Sequence, residues 1–127
     1  MSLNTDIDRS RPGVQRVRIG GRLDTATAPE LEASLSALPV DTQLLVFDMA
    51  NLDYISSAGL RVVFKASKSV RQAGGKAVLA NMQPQIRKVF DIVKAMPDVT
   101  IFSSDAELDD YLDTMQRRVL DGDDAII

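Results

Sequence analysis

The 127-residue sequence predicts a single α/β domain with a mixed β-sheet of four to five strands and about four helices. Three observations support this fold class. Short alternating or continuous apolar runs, which are typical of strands, lie between stretches whose apolar residues recur at helical spacing. Glycine and proline separate these segments. Apolar residues form 45% of the chain, enough for one buried core. The predicted order is β-β-α-β-α-β-α-β-α.

The first two strands are predicted to form an antiparallel hairpin. The first strand covers about residues 3–7, and the proline and glycine within residues 9–13 favour a turn. The second strand covers residues 14–19, where Val17 and Ile19 face one side and Arg16 and Arg18 face the other. The glycine pair at 20–21 is expected to end this strand.

The first helix is predicted from its start and stop signals. Thr27 and Glu30 have the spacing of a capping box, and Pro29 lies in the first turn, where its missing N–H costs little. Leucines then follow at helical spacing on one face, and Pro39 ends the pattern. These leucines are Leu31, Leu35 and Leu38.

A buried strand and a second helix follow. Residues 44–47 form a continuous apolar run, which suits a strand that is buried on both faces. The helix is expected to begin at Ser56 and Ser57 and to end near the glycines at 74–75. One side of the helix is mostly apolar and the other is basic. The first consists of Leu60, Val63, Phe64, Ser67 and Val70, and the second of Arg61, Lys65, Lys68 and Arg71.

The last elements alternate in the same way. Residues 76–80 form a short strand, and Pro84 opens a third helix that Pro97 stops. We expect a final strand over 99–102 and a fourth helix that begins with a capping box at Ser104 and Glu107. Its inner face is formed by Leu108, Tyr111, Leu112 and Met115. The domain is predicted to cover residues 1–118, with a frayed tail over 119–127.

Composition excludes several classes of function. The chain has no cysteine and no histidine, so disulfides, thiolate catalysis, zinc–cysteine sites and Ser-His-Asp triads are absent. A net charge of −3 argues against nucleic acid as the main partner. Neither a signal peptide nor an apolar run of roughly 18 residues is present, so we expect a cytoplasmic protein without membrane insertion. No metal or cofactor is expected.

Two further charged groups have ordinary explanations. Alternate arginines between residues 9 and 22 fit the solvated face of a strand better than a nucleic-acid surface, since no aromatic residues lie between them. An acidic group near the start of the fourth helix resembles a cation site, but the helix dipole favours carboxylates there anyway. This group consists of Asp105, Asp109, Asp110 and Asp113.

The candidate site is the segment that joins the buried strand to the second helix. In sheets of this kind, functional groups collect where strands end and helices begin. Ser56 and Ser57 at that helix start can cap free backbone N–H groups, and the same position favours an anion such as a phosphoryl group. On the residues alone a plain helix cap is the simpler interpretation, and Gly59 need only allow close packing of helix on strand.

Several motifs together resemble the STAS domain, and more narrowly the stand-alone bacterial anti-sigma factor antagonists. They are Gly21-Arg22-Leu23-Asp24, Asp48, Ile55-Ser56-Ser57-Ala58-Gly59-Leu60-Arg61, Pro84 and Phe90. The resemblance covers roughly residues 14–115 and implies a STAS-like fold. It also implies two partners: an anti-sigma factor with serine kinase activity, which the unphosphorylated antagonist binds, and a protein serine phosphatase that restores binding after phosphorylation.

The resemblance assigns roles to individual residues. Ser57 corresponds to the phosphorylated serine, and Asp24 takes the place of the acidic residue on the neighbouring loop. Ser56 stands where the family has an Asp, which makes Ser56 a second candidate acceptor. The implied partner-binding residues are Asp24, Ser56, Ser57, Ala58, Gly59, Leu60, Arg61 and Lys65.

Three alternatives remain open. The Ser56 departure fits a non-phosphorylated STAS scaffold, or a regulatory subunit of a signalling complex or of a lipid or anion transporter. A small ligand at the strand ends is a further alternative. An enzyme ranks last because no catalytic base is available, and no residue is assigned a catalytic role.

Overall fold

The computed structural model describes residues 3–95 and 105–122, which form four strands and four helices. The strands are β1 (Leu3–Arg11), β2 (Val14–Leu23), β3 (Leu44–Ile55) and β4 (Lys76–Ala80). The helices are α1 (Ala28–Ser36), α2 (Ser57–Gln72), α3 (Pro84–Ala95) and α4 (Asp105–Asp121). The α/β class and the order of these elements are as predicted. The expected strand at 99–102 and the capping residue Ser104 lie outside the described residues.

The sheet is mixed, in the order β1-β2-β3-β4. The strands β1 and β2 pair antiparallel around a turn at Gly13, whose φ of +74° suits glycine. The pairs β2–β3 and β3–β4 are parallel, and α1 and α2 form the connections that parallel neighbours require. The predicted hairpin and parallel second part are therefore confirmed.

The core lies against one face of the sheet. Val17 and Ile19 on β2 are fully buried, together with Phe47 on β3, which pairs with Val17. The opposite face is charged: Arg16 bonds to Asp48 at 2.8 Å, and Arg18 contacts Asp6 and Asp8. The predicted separation of apolar and basic residues on β2 is confirmed. The helices supply the other half of the core, through Leu31, Leu60, Val63, Ile86, Val89 and Leu112.

Three strands are longer than the sequence predicts. The first, β1, runs to Arg11, into the stretch that was predicted as a turn. The glycine pair does not end β2, which runs on to Leu23, and β3 continues to Ile55, well past the apolar run at 44–47. The extra residues of β2 and β3 pair with each other through two register shifts, one beside Gly20 and one beside Gly21. Gly21 has a φ of +91°, so glycine here permits a β-bulge rather than a break.

The capping box predicted for α1 is wrong. Thr27 is the N-cap residue, but its side chain makes no cap hydrogen bond. Its hydroxyl instead donates to the carbonyl of Arg22 at 2.8 Å and accepts from the backbone N–H of Asp24 at 2.9 Å. These bonds fix the loop before the helix. Pro29 lies in the first turn, as predicted.

The helical faces are mostly as expected. In α2, Leu60 and Val63 are buried and the basic residues are exposed. Phe64 differs, because it is 41% exposed and its ring packs edge-on against Phe90 at 5.9 Å; Val62 is buried instead. The last helix, α4, continues to Asp121, and the remainder of the proposed tail, 123–127, lies outside the described residues.

Candidate functional site: the turn between β3 and α2

The turn begins where β3 ends, at Ile55. Ser56 is the N-cap of α2, with an extended backbone, and its Oγ accepts the N–H of Gly59 at 3.3 Å. The N–H of Ser56 donates to the carbonyl of Leu23 at 2.9 Å, which joins the turn to the end of β2. The cap that the sequence predicts is therefore present, and Ser56 provides it.

Gly59 allows α2 to lie directly against the strands. A Cβ at this position would be 2.6 Å from Cγ of Leu23 and 3.1 Å from Cγ1 of Ile55, both of which belong to fully buried side chains. Contacts between carbon atoms are normally about 3.5–4.0 Å. The close packing of helix on strand that was expected at Gly59 is confirmed, and it leaves no room for a residue larger than glycine at this position.

Ser57 is the first residue of α2 and is only 3% exposed. Its backbone N–H donates to Oδ1 of Asp109 on α4 at 2.8 Å. The first N–H groups of a helix have no partner within the helix, so Asp109 satisfies one of them. Sequence reasoning missed this contact, because the two residues are 52 positions apart and no local pattern links them.

A second residue of α4, Gln116, holds the end of β3. Its Oε1 accepts the N–H of Ile55 at 3.0 Å and its Nε2 donates to the carbonyl of the same residue at 2.8 Å. Gln116 is 2% exposed. The strand β4 pairs with β3 only as far as Asp48, so it leaves the backbone groups of Ile55 without a partner strand. A primary amide offers one acceptor and two donors, and the Gln116 side chain therefore takes the place of that strand. This role was also missed.

Two glutamines bond to the same stretch of β3: Gln83, just before α3, and Gln85, in its first turn. Nε2 of Gln83 donates to the carbonyls of Ala50 and Leu52, the latter at 2.8 Å. Nε2 of Gln85 donates to the carbonyl of Asp53 at 3.2 Å. Side-chain amides around the start of α3 and on α4 therefore satisfy backbone groups of β3 that lie beyond the end of β4.

The loop that carries Asp24 lies on the other side of the turn. Burial raises the pKa of Asp24, but hydrogen bonds from Thr27, Arg22 and the N–H of Ala26 outweigh it and hold that pKa below its ordinary value. The Arg22 guanidinium bonds to Asp24 at 3.1 Å and lies 3.7 Å from the ring centre of Tyr54. This group is joined to the turn through Leu23, whose carbonyl accepts the N–H of Ser56.

Negative charge collects around Tyr54. Burial and then the nearby carboxylates of Asp113, Asp109 and Asp24 raise the pKa of the Tyr54 phenol, against the opposing effect of Arg22. The turn therefore lies in a region that is rich in carboxylates.

The predicted partner-binding residues divide into three groups by their exposure. Arg61 and Lys65 are exposed on α2, and Lys65 forms an ion pair with Glu32 of α1 at 3.0 Å. Asp24 and Ala58 are half-buried. The other four are buried, namely Ser56, Ser57, Gly59 and Leu60. The surface around the turn is therefore formed by the first two groups, and partner binding by any of them stays a prediction.

The described residues show neither a metal-binding cluster nor a membrane-spanning helix. Among residues 3–95 and 105–122, no three acidic side chains come together in a way that could hold a metal ion. In the same part of the chain, none of the helices has the length and apolar character needed to cross a bilayer.

A mixed four-stranded sheet with a serine-capped turn at the end of a central strand defines a small α/β domain whose site lies where strand meets helix. The chain belongs to the STAS domain family, whose model matches residues 8–108.

Curated relatives and solved structures agree with this assignment. BtrV of Bordetella bronchiseptica, whose name gives it provisionally as an anti-sigma factor antagonist, is 45% identical over 73 residues, which are 57% of this chain and 63% of BtrV. The match thus spans less than two thirds of that relative. The anti-sigma-B factor antagonist of Bacillus subtilis is 29% identical over 107 residues, covering 84% of this chain and 96% of the relative.

The solved structures of SpoIIAA share the fold. The unphosphorylated anti-sigma factor antagonist SpoIIAA matches with a TM-score of 0.65 and 20% identity, over 74% of this chain and 84% of SpoIIAA. The phosphorylated form of this Bacillus cell fate determinant matches with a TM-score of 0.61 and the same identity, over 74% and 86% of the two chains.

Proposed function

We propose that this protein is a cytoplasmic anti-sigma factor antagonist that binds a serine-kinase-type anti-sigma factor and is switched off when that partner phosphorylates Ser57. A protein serine phosphatase reverses the switch. The names of the relatives support the first part of this proposal. The position of Ser57, as the first residue of a helix that starts at the end of a central strand, supports the second.

The charge of α2 supports a protein partner with an acidic surface. The helix contains four basic residues and no acidic one, although the whole chain has a net charge of −3. Phe64 lies on the same helix, 41% exposed, between Arg61 and Lys65. Exposed aromatic residues and arginine are both enriched at protein–protein interfaces, and Phe64 and Arg61 provide one of each on this helix. The unphosphorylated protein would present this surface to the anti-sigma factor.

A phosphoryl group at Ser57 would act mainly through charge. It adds about −1.5 to −2 charges and three strong acceptor oxygens at the start of the basic helix. An acidic partner surface would then meet like charge, which costs several kcal/mol and weakens the complex. Ser56 is the weaker candidate acceptor, since its Oγ already accepts the N–H of Gly59 and caps the helix.

The direct test is phosphorylation by candidate anti-sigma kinases with ATP, followed by mapping of the phosphate and a binding assay. We expect one phosphate on Ser57, lost in Ser57→Ala but retained in Ser56→Ala. It should also be retained in Ser69→Ala, a matched control on the exposed face of the same helix. Phosphorylation should weaken kinase binding by roughly 100-fold or more.

Two results contradict the proposal. If the kinases bind but neither Ser57 nor Ser56 gains a phosphate, the switch is refuted and a non-phosphorylated STAS regulator explains the binding. If copurification instead yields a membrane permease or a transport ATPase, the sigma-factor role is refuted and the transporter-subunit alternative is supported.

A further inference from the structure

One face of α4 bonds to the backbone at the proposed phosphorylation site and just before it. Three residues at positions i, i+3 and i+7 of the helix point toward the turn: Asp109, Leu112 and Gln116, which we call the α4 clamp. Leu112 is fully buried in the core, and Gln116 holds both backbone groups of Ile55. The α4 clamp therefore bonds both to the end of β3 and to the start of α2.

Asp109 occupies an anion position. The N-terminus of a helix favours negative charge, because its N–H groups lack partners and the helix dipole is positive there. In α2 the carboxylate of Asp109 already accepts the N–H of Ser57 at 2.8 Å. A phosphoryl group carried by the same residue would seek the same N–H groups.

We propose that Asp109 and a phosphoryl group on Ser57 exclude each other, so that α4 must release the turn before Ser57 is modified and stays released afterwards. This inference rests on the proposed phosphorylation of Ser57. The burial of Ser57, which is 3% exposed, supports the first half, since a kinase has to reach a hydroxyl that the folded domain covers.

Charge supports the second part of the proposal, that α4 stays released once Ser57 is phosphorylated. The phosphoryl group brings about −1.5 to −2 charges next to the Asp109 carboxylate, and like charges at such short distance repel strongly in a partly buried site. Asp113 and Asp24 add further negative charge nearby, which their ion pairs with Arg117 and Arg22 partly offset. Release of Asp109 removes the repulsion and frees the N–H of Ser57 for the phosphate.

The inference can be tested without any kinase. Because the chain has no cysteine, Ser57→Cys introduces a single thiol at the site, and its alkylation by iodoacetamide reports how often the clamp opens. In this background Asp109→Ala should increase the labelling rate roughly 10-fold or more, since it removes a charged acceptor from a backbone N–H. Asp110→Ala, a change at the next residue of α4, which is exposed, is the matched control and should change the rate less than about twofold.

A second measurement uses phosphoserine installed at position 57 during translation. Hydrogen exchange of the α4 amides should become roughly 10-fold faster than in the unmodified protein, and Asp109→Asn should remove most of that change because the repelling charge is gone. Asp110→Asn should not.

Equal labelling of the Asp109 and Asp110 variants, or unchanged exchange of α4 in the phosphoserine protein, would overturn the inference. Neither readout involves a kinase, so failure to find a phosphorylating partner would count against the proposed function alone. Phosphorylation by a kinase with no change in α4 would count against the clamp alone.

Discussion

Replacement of Gln116 by Glu tests whether α4 holds the end of β3 as the hydrogen bonds indicate. Glu has nearly the same shape, and one of its oxygens can still accept the N–H of Ile55. The other oxygen would replace Nε2, which now donates to the carbonyl of Ile55 at 2.8 Å and to that of Leu112 at 3.2 Å. An ionised Glu therefore places negative charge against two carbonyl oxygens at a site that is 2% exposed.

The expected cost at neutral pH is about 3–5 kcal/mol, the range found when a buried charge is left without a partner. This cost depends on pH in a defined direction. Burial and the two carbonyls raise the folded pKa of the new Glu above its unfolded value of about 4.3. The destabilisation is therefore small near that unfolded value and increases with pH until the folded pKa is passed. A protonated Glu can donate to Ile55 again.

Urea unfolding followed by circular dichroism at about pH 5.5 and about pH 8 measures the effect, with the wild type at each pH as reference. The difference in unfolding free energy should be smaller at the lower pH. Gln116→Leu is the control, because it loses the same hydrogen bonds without adding a titrating group, and its deficit should not vary with pH. If Gln116→Glu matches the wild type at pH 8, Gln116 does not hold β3 as described.

Two other substitutions test the packing at the turn and the charged face of the sheet. Gly59→Ala should lower the unfolding free energy by about 2 kcal/mol, since overpacking against Leu23 costs up to about 3 kcal/mol and alanine recovers about 1 kcal/mol in a helix. The control Ser69→Ala, on the same helix, should change the unfolding free energy by less than about 0.5 kcal/mol. Equal values for the two variants would contradict the close contact at Gly59. Burial raises the pKa of Asp48, but hydrogen bonds, including those from Arg16, outweigh it and leave that pKa lowered. The stability that this carboxylate contributes is therefore present above its unfolded pKa of about 3.9, and it is lost as pH falls through the folded pKa. Asp48→Asn should therefore be destabilised by about 1–3 kcal/mol at pH 7, and urea titrations should show this gap closing below about pH 3.9; a constant gap would contradict the role of the charge.

The sequence predicts well the elements that local patterns determine. In α2 the apolar spacing, the serine cap and the glycines after the helix agree, and the strand at 76–80 has its predicted ends. The capping box at Thr27 shows where such patterns fail. Its hydroxyl bonds to the carbonyl of Arg22 rather than to the helix, because the preceding loop offers better partners than the spacing alone reveals.

The length of β3 was not predictable for a related reason. Residues 48–54 carry several polar side chains and no clear alternation, which is typical of a loop. They are extended because β2 pairs with them across two bulges and because glutamines of α3 and α4 satisfy their other backbone groups. The candidate site divides in the same way: the Ser56 cap is local and was predicted, whereas Asp109 on Ser57 depends on the tertiary fold.

The glutamine contacts along β3 also bear on how this protein avoids self-association. A strand that extends past its neighbour presents unpaired N–H and C=O groups, which can template pairing with a strand of another chain. Here Gln83, Gln85 and Gln116 occupy such groups between residues 50 and 55. Gln83 directly precedes α3, Gln85 lies in α3 and Gln116 lies in α4. Any loosening of either helix would therefore expose unpaired backbone groups of β3. The helices therefore cover this strand edge at the same place where they support the turn.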